Sequence, residues 1–268
     1  MGERLGIIAG AGRFARQALS LAREQGYACV VAGVKGAAEP GLAGEEAEAF
    51  DWFGPAELEG LASFFSGHGV REVVFVGKVD PAVLARRGPE DAEWTAALDR
   101  LPDASPTSVL RAVIEFLSAR GLSVKDPGFL LGPAFRRPGL LGRIEPPSSA
   151  AADIAFGWPL ARALADLDIG QTVVIRNRTV VAVEGLDGTD ATIARAGAIA
   201  GSGCAVLKAA RTRQDLRIDV PGVGPETVRA CIAAGAAVLC VEAGKVAFFE
   251  LEEAAALADA NGLALIAR

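Results

Sequence analysis

The chain has 268 residues, of which 51% are hydrophobic and 22% are charged, and its formal net charge is −6. This composition is typical of a globular protein, and the length suits one large domain or two ordinary ones. The acidic balance argues against a nucleic-acid binder and against strong electrostatic binding to anionic lipid. The four cysteines include no Cys-x-x-Cys pair. With no signal-like start and no apolar run of membrane length, we expect a cytoplasmic protein with reduced thiols.

The first part of the chain has the pattern of a parallel α/β domain. A strand, a glycine turn, a helix and a second strand form a β-α-β unit, which implies a right-handed crossover. The predicted elements are strands over 5–9, 27–34 and 72–76, helices over 13–25 and 55–66, an acidic loop over 36–54, and helical segments within 81–120.

A dense run of Pro and Gly predicts a linker over 126–149, between an N-terminal domain (1–125) and a C-terminal catalytic domain (150–268). We therefore expect two α/β domains, an N-terminal Rossmann-like parallel sheet and a C-terminal mixed α/β domain, with an interdomain cleft for ligands. The predicted C-terminal elements are helices over 150–167, 189–200 and 251–260 and one from Pro225, hairpins over 172–183 and 236–249, and strands over 205–208 and 263–266.

The turn Gly10–Gly12, followed by Ala15, matches the G-x-G-x-x-G/A pattern between a strand and a helix. Such glycines let the backbone approach a phosphate at a helix N-terminus. The acid that binds an NAD ribose is missing, although Lys35 would suit a 2′-phosphate. A tight turn that needs small residues is the alternative. Lys78, after the third strand, is either a phosphate contact or an exposed loop lysine.

A group of acids follows the strand over 179–183. Glu184 ends that strand, and glycines then permit a tight loop that presents Asp187 and Asp190, with the Thr189 hydroxyl between them. Converging carboxylates raise each other's pKa unless a cation neutralises them, and a hard divalent ion is the usual solution. The alternative is helix capping, which explains Asp187 or Asp190 but not Glu184.

A second acidic run contains Asp215, Arg217 and Asp219. In a strand, these three side chains share one face. Two alternatives stay open: structural salt bridges, or an arginine that grips phosphate while the acids hold a metal ion. Lys208, at the end of another predicted strand, adds a cation to the same polar group.

Together these residues predict water attack on a phosphoryl group assisted by Mg²⁺, with one carboxylate as general base and cations that stabilise the transition state. His68 is the only histidine and lies between glycines in a predicted loop, so we assign it no catalytic role. The candidate metal ligands are Glu184, Asp187, Asp190 and Asp219, and the candidate cations are Arg195, Lys208 and Arg217.

The order of these motifs resembles the UDP-2,3-diacylglucosamine pyrophosphatase family of lipid A biosynthesis, in the form that is not calcineurin-like. The resemblance covers nearly the whole chain. The chain departs from the family's pattern at two places. The glycine turn continues as Arg13-Phe14-Ala15-Arg16, where we would expect a leucine-proline-like sequence, and Val-Pro-Gly-Val-Gly follows Asp219, where threonine-isoleucine is more familiar. The matching segments are 6–12, 76–79, 181–190, the helix ending at Arg195, 207–208 and 214–224.

The resemblance implies Mg²⁺-dependent hydrolysis of a UDP-linked lipid to 2,3-diacylglucosamine 1-phosphate and UMP. It also implies an essential aspartate, for which Asp215 and Asp219 are candidates and Asp219 is favoured, with Lys208 and Arg217 beside it. The substrate-binding candidates are Gly10, Ala11, Gly12, Lys78, Thr189 and Arg195.

Peripheral contact with the inner membrane is compatible with a lipid substrate, and the oligomeric state is left open. Two other functions are alternatives: an NADP-dependent oxidoreductase, based on the glycine turn and Lys35, and a nucleotide-sugar binding protein without catalytic activity. The excess of acids near Glu184 argues against the binding protein, because anionic ligands avoid uncompensated carboxylates.

Overall fold

The computed structural model describes residues 2–12, 14–44, 47–77, 79, 92–103 and 105–268. These residues form two compact units. The first comprises Met1–Leu131 together with Asp215–Ile218, and the second comprises Gly132–Gln214 together with Asp219–Arg268. The short segment Asp215–Ile218 thus belongs to the first unit, although the chain on either side of it belongs to the second.

The first unit contains a five-stranded sheet with the order β3-β2-β1-β4-β5, in which every neighbouring pair is parallel. Its strands are β1 (Arg4–Ala9), β2 (Ala28–Val34), β3 (Ala49–Phe53), β4 (Glu72–Val76) and β5 (Ser123–Val124). Its helices are α1 (Phe14–Glu24), α2 (Leu58–Gly67), α3 (Ala92–Leu98), α4 (Pro106–Ala119) and the single turn α5 (Gly128–Leu131), and a 3₁₀ turn spans Pro40–Gly44.

The central strands of this sheet are nearly continuous runs of buried apolar residues. A parallel sheet covered on both faces requires that pattern. Two buried clusters result: one contains Leu5 and Ile7 with the apolar face of α1, and the other contains Ile8 with Phe65 and Trp94.

The second unit contains a mixed six-stranded sheet with the order β6-β13-β11-β9-β7-β8. Strands β9, β11 and β13 are parallel, whereas β6, β7 and β8 each pair antiparallel. The strands are β6 (Gly139–Leu140), β7 (Thr172–Arg176), β8 (Thr179–Val183), β9 (Ala205–Lys208), β11 (Val238–Val241) and β13 (Ala264–Ala267).

Four helices accompany this sheet: α6 (Ser148–Asp166), α7 (Gly188–Ala200), α8 (Pro225–Ala233) and α9 (Leu251–Ala260). A 3₁₀ turn spans Gly132–Ala134, and a small parallel pair joins β10 (Gly222–Val223) to β12 (Ala247–Phe248). The predicted fold class, α/β with a parallel N-terminal sheet and a mixed C-terminal sheet, is confirmed.

The hairpin predicted over 172–183 is confirmed. Its two-residue turn places Asn177 (φ 49°) and Arg178 (φ 54°) in the left-handed region, as the tight turns of two-residue hairpins require. The buried Asp153 carboxylate of α6 accepts hydrogen bonds from both backbone N–H groups, at 3.0 and 2.6 Å. The Asp153 carboxylate therefore stabilises this turn and offsets part of the cost of its left-handed backbone conformation.

Three predictions of local structure are wrong. The acidic segment 36–54 contains strand β3. The hairpin predicted over 236–249 does not form, because β11 pairs parallel with β9 and β13 while β12 pairs parallel with β10. Residues 216–218 form a turn and no strand covers 215–219, so the shared strand face predicted for these side chains does not exist.

The segment predicted as a linker contains α5, the 3₁₀ turn, β6 and the start of α6. Within the described residues, no helix combines the length and the apolar character needed to cross a membrane.

Candidate functional site

A polar site lies along one edge of the second unit's mixed sheet. Glu184 directly follows β8, Lys208 is the last residue of β9, and Thr172 begins β7. Because β7 runs antiparallel to both neighbours, its first residue lies at the edge where the other two strands end: Thr172 is the register partner of Lys208, and its carbonyl accepts from the Glu184 N–H at 2.9 Å. Ligands of open α/β sheets bind outside the carboxyl ends of strands.

Lys208 is a buried cation in this site, with its residue only 5% exposed. Its Nζ lies 2.6 Å from the Thr189 hydroxyl oxygen, 3.5 Å from that of Thr172, and 3.8 Å from Glu184 Oε2. A buried ammonium group is tolerated only with such polar partners. Glu184 in the loop after β8 and Thr189 in the first turn of α7 therefore supply two of these partners, and Thr172 of β7 supplies the third.

Glu184 forms an ion pair with this cation. Its Oε1 accepts from the Thr189 hydroxyl at 2.9 Å, and its Oε2 accepts from the Gln171 backbone N–H at 3.1 Å. Burial alone would raise the pKa of Glu184, but the Lys208 charge and these hydrogen bonds outweigh it and lower the pKa below its usual value. Glu184 is therefore ionised at neutral pH and opposes the charge of Lys208.

Asp219 is held differently, by two neutral amides. Its Oδ2 accepts from Gln171 Nε2 at 2.5 Å and from Gln214 Nε2 at 3.3 Å, and Gln214 Nε2 also bonds the Asp219 backbone carbonyl at 2.8 Å. Within the part of the chain that the structure describes, no Lys or Arg forms an ion pair with this carboxylate. Amide donors fix the orientation of a carboxylate but supply no compensating positive charge.

Gln171 connects the two acids and is a site residue that the sequence analysis missed. Its N–H bonds Glu184, its side chain bonds Asp219, and its carbonyl accepts from the Ala209 N–H at 2.9 Å, directly after Lys208. The feature that could have identified Gln171 is its position immediately before β7. That position is informative only once β7 is known to pair with β9.

The other acids of the loop face Arg195 or solvent. Asp187 Oδ2 forms an ion pair with Arg195 at 2.9 Å, and its Oδ1 accepts from the Gly185 N–H at 3.0 Å. The hydrogen bond from Arg195 is the main reason that the pKa of Asp187 is lowered. Asp187 occupies the N-cap position of α7 without a capping hydrogen bond from its side chain. Asp190 lies exposed in the first turn of that helix.

Asp215 and Arg217 belong to the first unit, and they bind each other. Arg217 Nη2 lies 2.7 Å from Asp215 Oδ2, while its Nε and backbone N–H donate to Oδ1 at 2.9 and 3.1 Å. This bidentate contact is the main cause that lowers the pKa of Asp215. The sequence left two alternatives for this run, structural salt bridges or a phosphate-binding arginine beside metal-binding acids. The structure contains a salt bridge between Asp215 and Arg217.

The backbone of the glycine turn in the first unit lies close to Gly77. The Gly10 N–H bonds the Val76 carbonyl at 2.8 Å, and a Cβ added to Gly77 would lie 2.7 Å from the Ala11 carbonyl oxygen. Gly12 has a φ of 93°. Close packing therefore favours glycine at Gly77, and the left-handed backbone favours glycine at Gly12, independently of any phosphate. Lys35 forms an ion pair with Glu57 at 3.3 Å, and Lys78 lies outside the described residues.

The four acids predicted as metal ligands do not form one cluster. Within the described ranges, no three His, Cys, Asp or Glu side chains come close enough to share a metal ion. Glu184 and Asp187 already face cations, and Asp190 is exposed on its helix. The Asp219 carboxylate is suited to be a Mg²⁺ ligand, because Mg²⁺ is commonly held by one or two carboxylates together with substrate phosphates.

The fold and site define an α/β protein of two units with a lysine and carboxylates at a sheet edge. Models of the LpxI N-terminal domain and the LpxI C-terminal domain match residues 4–132 and 137–266. The chain belongs to the LpxI family. It is 29% identical to the UDP-2,3-diacylglucosamine pyrophosphatase LpxI of Caulobacter vibrioides over 272 residues, which cover 97% of this chain and 96% of the relative.

Solved structures match with low TM-scores and over only part of each chain. L-threonine dehydrogenase from Phytophthora infestans matches with 18% identity and a TM-score of 0.30, over 55% of this chain and 39% of that chain. A GalE-like L-threonine dehydrogenase from Cupriavidus necator matches with 17% identity and a TM-score of 0.27, over 45% and 36%.

Proposed function

We propose that the protein hydrolyses the diphosphate of UDP-2,3-diacylglucosamine, with Mg²⁺, to UMP and 2,3-diacylglucosamine 1-phosphate in lipid A biosynthesis. Membership of the LpxI family makes it a hydrolase, and its Caulobacter relative is named for this substrate. The observation that supports the chemistry best is the joint attachment of Glu184 and Asp219 to Gln171, beside the buried Lys208.

The positive elements of the site suit a diphosphate. Lys208 supplies a fixed ammonium group at the sheet edge, held by Thr189 and Glu184. Helix α7 begins at the same edge, and because the Asp187 side chain makes no capping bond there, the first turn can present backbone N–H groups to an anion. Preorganised donors of this kind stabilise charge that develops in the transition state.

Asp219 is the carboxylate assigned to the attacking water. Water forms a bond to one phosphorus, the bridging P–O bond breaks, the leaving phosphate takes the electron pair, and Asp219 accepts the water's proton. Asp219 is also the acid that fits Mg²⁺, which when bound neutralises diphosphate oxygens and lowers the pKa of water. Lys208 opposes the charge on the phosphoryl oxygens throughout.

The test is direct incubation of the purified protein with UDP-2,3-diacylglucosamine and Mg²⁺. We expect release of UMP and of the 1-phosphate in equal amounts, and we expect EDTA to stop it and excess Mg²⁺ to restore it. UMP at the level of a control without enzyme would refute the activity. Turnover that persists in EDTA would refute the metal requirement alone.

We infer that the protein works in the cytoplasm and touches the inner membrane peripherally, because the proposed substrate is a lipid. Leu186, two residues after Glu184, has a fully exposed side chain, which supports apolar contact beside the site. Flotation with neutral phosphatidylcholine vesicles checks this: we expect recovery with the vesicles, weakened by Leu186→Asn. Recovery equal to a control without vesicles contradicts it.

A further inference from the structure

We propose that Gln171 and Gln214 are positioning residues that orient the Asp219 carboxylate for the reaction; this rests on the proposed function. Both amides donate to the same oxygen, Oδ2. Within the described part of the chain, no hydrogen bond ends at Oδ1. The two amides thus define which carboxylate oxygen is held and which is available for water or a cation.

The choice of amides as donors has an electrostatic consequence. Elsewhere in the site, Glu184 and Asp187 are held by Lys208 and Arg195, so their charges are balanced. Asp219 is held by two hydrogen bonds but receives no compensating charge from the amides. An acid that must attract a proton or a cation is best held in this way, since an ion pair would weaken both properties.

Gln171 can orient the Asp219 carboxylate because its own backbone N–H and carbonyl are both held by hydrogen bonds. Its N–H bonds Glu184 Oε2 and its carbonyl accepts from Ala209. Neither bond involves its side chain, so a substitution can remove the amide and leave the backbone network in place. Gln214 is less separable, because its Oε1 also accepts from the Arg211 N–H at 3.2 Å.

The deciding variant is Gln171→Met, which keeps the length of the side chain and removes the donor. We expect kcat to fall by about 10- to 100-fold, the usual effect of losing a group that orients a functional residue, while KM changes by less than about twofold because no substrate contact is lost. Gln171→Glu is expected to lose at least as much activity. Gln25→Met is the matched control: the Gln25 amide lies in the first unit and approaches the Phe129 carbonyl at 3.5 Å.

Several results would overturn the proposal. One is a Gln171→Met enzyme with the kcat of the wild type. Another is a raised KM at unchanged kcat, which would make Gln171 a substrate contact. A fall in kcat that Gln25→Met reproduces would show a general effect of the substitution.

A second measurement does not depend on activity, so it separates this inference from the proposed reaction. We expect crystal structures to show one Asp219 carboxylate orientation in the wild type and more than one, or a rotated one, in Gln171→Met. An unchanged Asp219 in the variant would reject the positioning role even if the wild type proves to hydrolyse another substrate.

Discussion

Lys208 Nζ lies 2.6 Å from the hydroxyl oxygen of Thr189, and that same hydroxyl lies 2.9 Å from Glu184 Oε1. Because an ammonium group can only donate, the Thr189 oxygen accepts from Lys208, and its proton is free to donate to Glu184. One hydroxyl thus links the end of β9 to the end of β8. The start of α7 is tied to the site by the same residue.

Thr189→Val should therefore weaken both stability and activity. The variant keeps the shape of the side chain but leaves the buried Lys208 ammonium group and the partly buried Glu184 carboxylate each short of one partner, at a cost of about 1–3 kcal/mol. Urea unfolding and steady-state rates measure the two effects, and we expect kcat to fall about tenfold. Thr189→Ser restores the hydroxyl and should recover most of both. A serine variant as impaired as the valine variant would contradict the assignment.

The Glu184–Lys208 pair should show strong coupling in a double-mutant cycle. Removing one partner of a buried pair costs about 3–5 kcal/mol, because the remaining charge is left uncompensated. Glu184→Gln and Lys208→Met should each be strongly destabilising, and the double variant should be less destabilised than the sum of the two. Additive free energies of unfolding would show that the 3.8 Å approach contributes nothing.

The free energy of unfolding should depend on pH through Glu184. The pKa of this group is lowered in the folded protein from an ordinary 4.5, so its ionised form stabilises the fold at pH values above 4.5. That contribution is lost as the pH falls through the folded-state pKa. The difference in stability between wild type and Glu184→Gln should thus be largest near neutrality and shrink in acid. A difference in unfolding free energy that grows below pH 4.5 would contradict this prediction.

Asp153→Ala should destabilise the β7–β8 hairpin. The buried carboxylate accepts from the N–H groups of Asn177 and Arg178, and its loss leaves both donors without that partner, which we expect to cost about 2–3 kcal/mol. Chemical unfolding measures this. Glu115→Ala, at an exposed position of α4, is the control and should stay within about 0.5 kcal/mol of the wild type. Equal effects of the two substitutions would contradict the prediction.

Local pattern was enough to predict most elements of this fold. Strands such as β1 and β4 are short apolar runs directly followed by glycine, and the hairpin over 172–183 joins neighbours in the chain. Strand β3 was missed because its aromatic residues lie in an acidic, glycine-rich segment. The hairpin expected over 236–249 failed because β11 obtains its partners, β9 and β13, from distant parts of the chain.

The same distinction applies to the candidate site. Glu184 and Lys208 could be predicted because both end strands, and strand ends of one sheet meet at an edge. Gln171 could not, since its role depends on the antiparallel placement of β7 beside β9. Asp215 and Asp219 looked equivalent in a strand, but the turn there pairs Asp215 with Arg217 and leaves Asp219 with amides.

That difference predicts which aspartate the proposed hydrolysis needs. Asp219→Asn keeps the size of the side chain but removes the negative charge and the proton acceptor, so we expect kcat to fall by about 10²- to 10⁴-fold with an unchanged circular dichroism spectrum. Asp215→Asn is the matched control, because it weakens only a partly exposed ion pair with Arg217, worth about 0–1 kcal/mol. UMP release should then stay within a few-fold of the wild type. An active Asp219→Asn enzyme beside an inactive Asp215→Asn enzyme would transfer the essential role to Asp215. It would also show that a carboxylate paired with arginine can do what the geometry assigns to one held by amides.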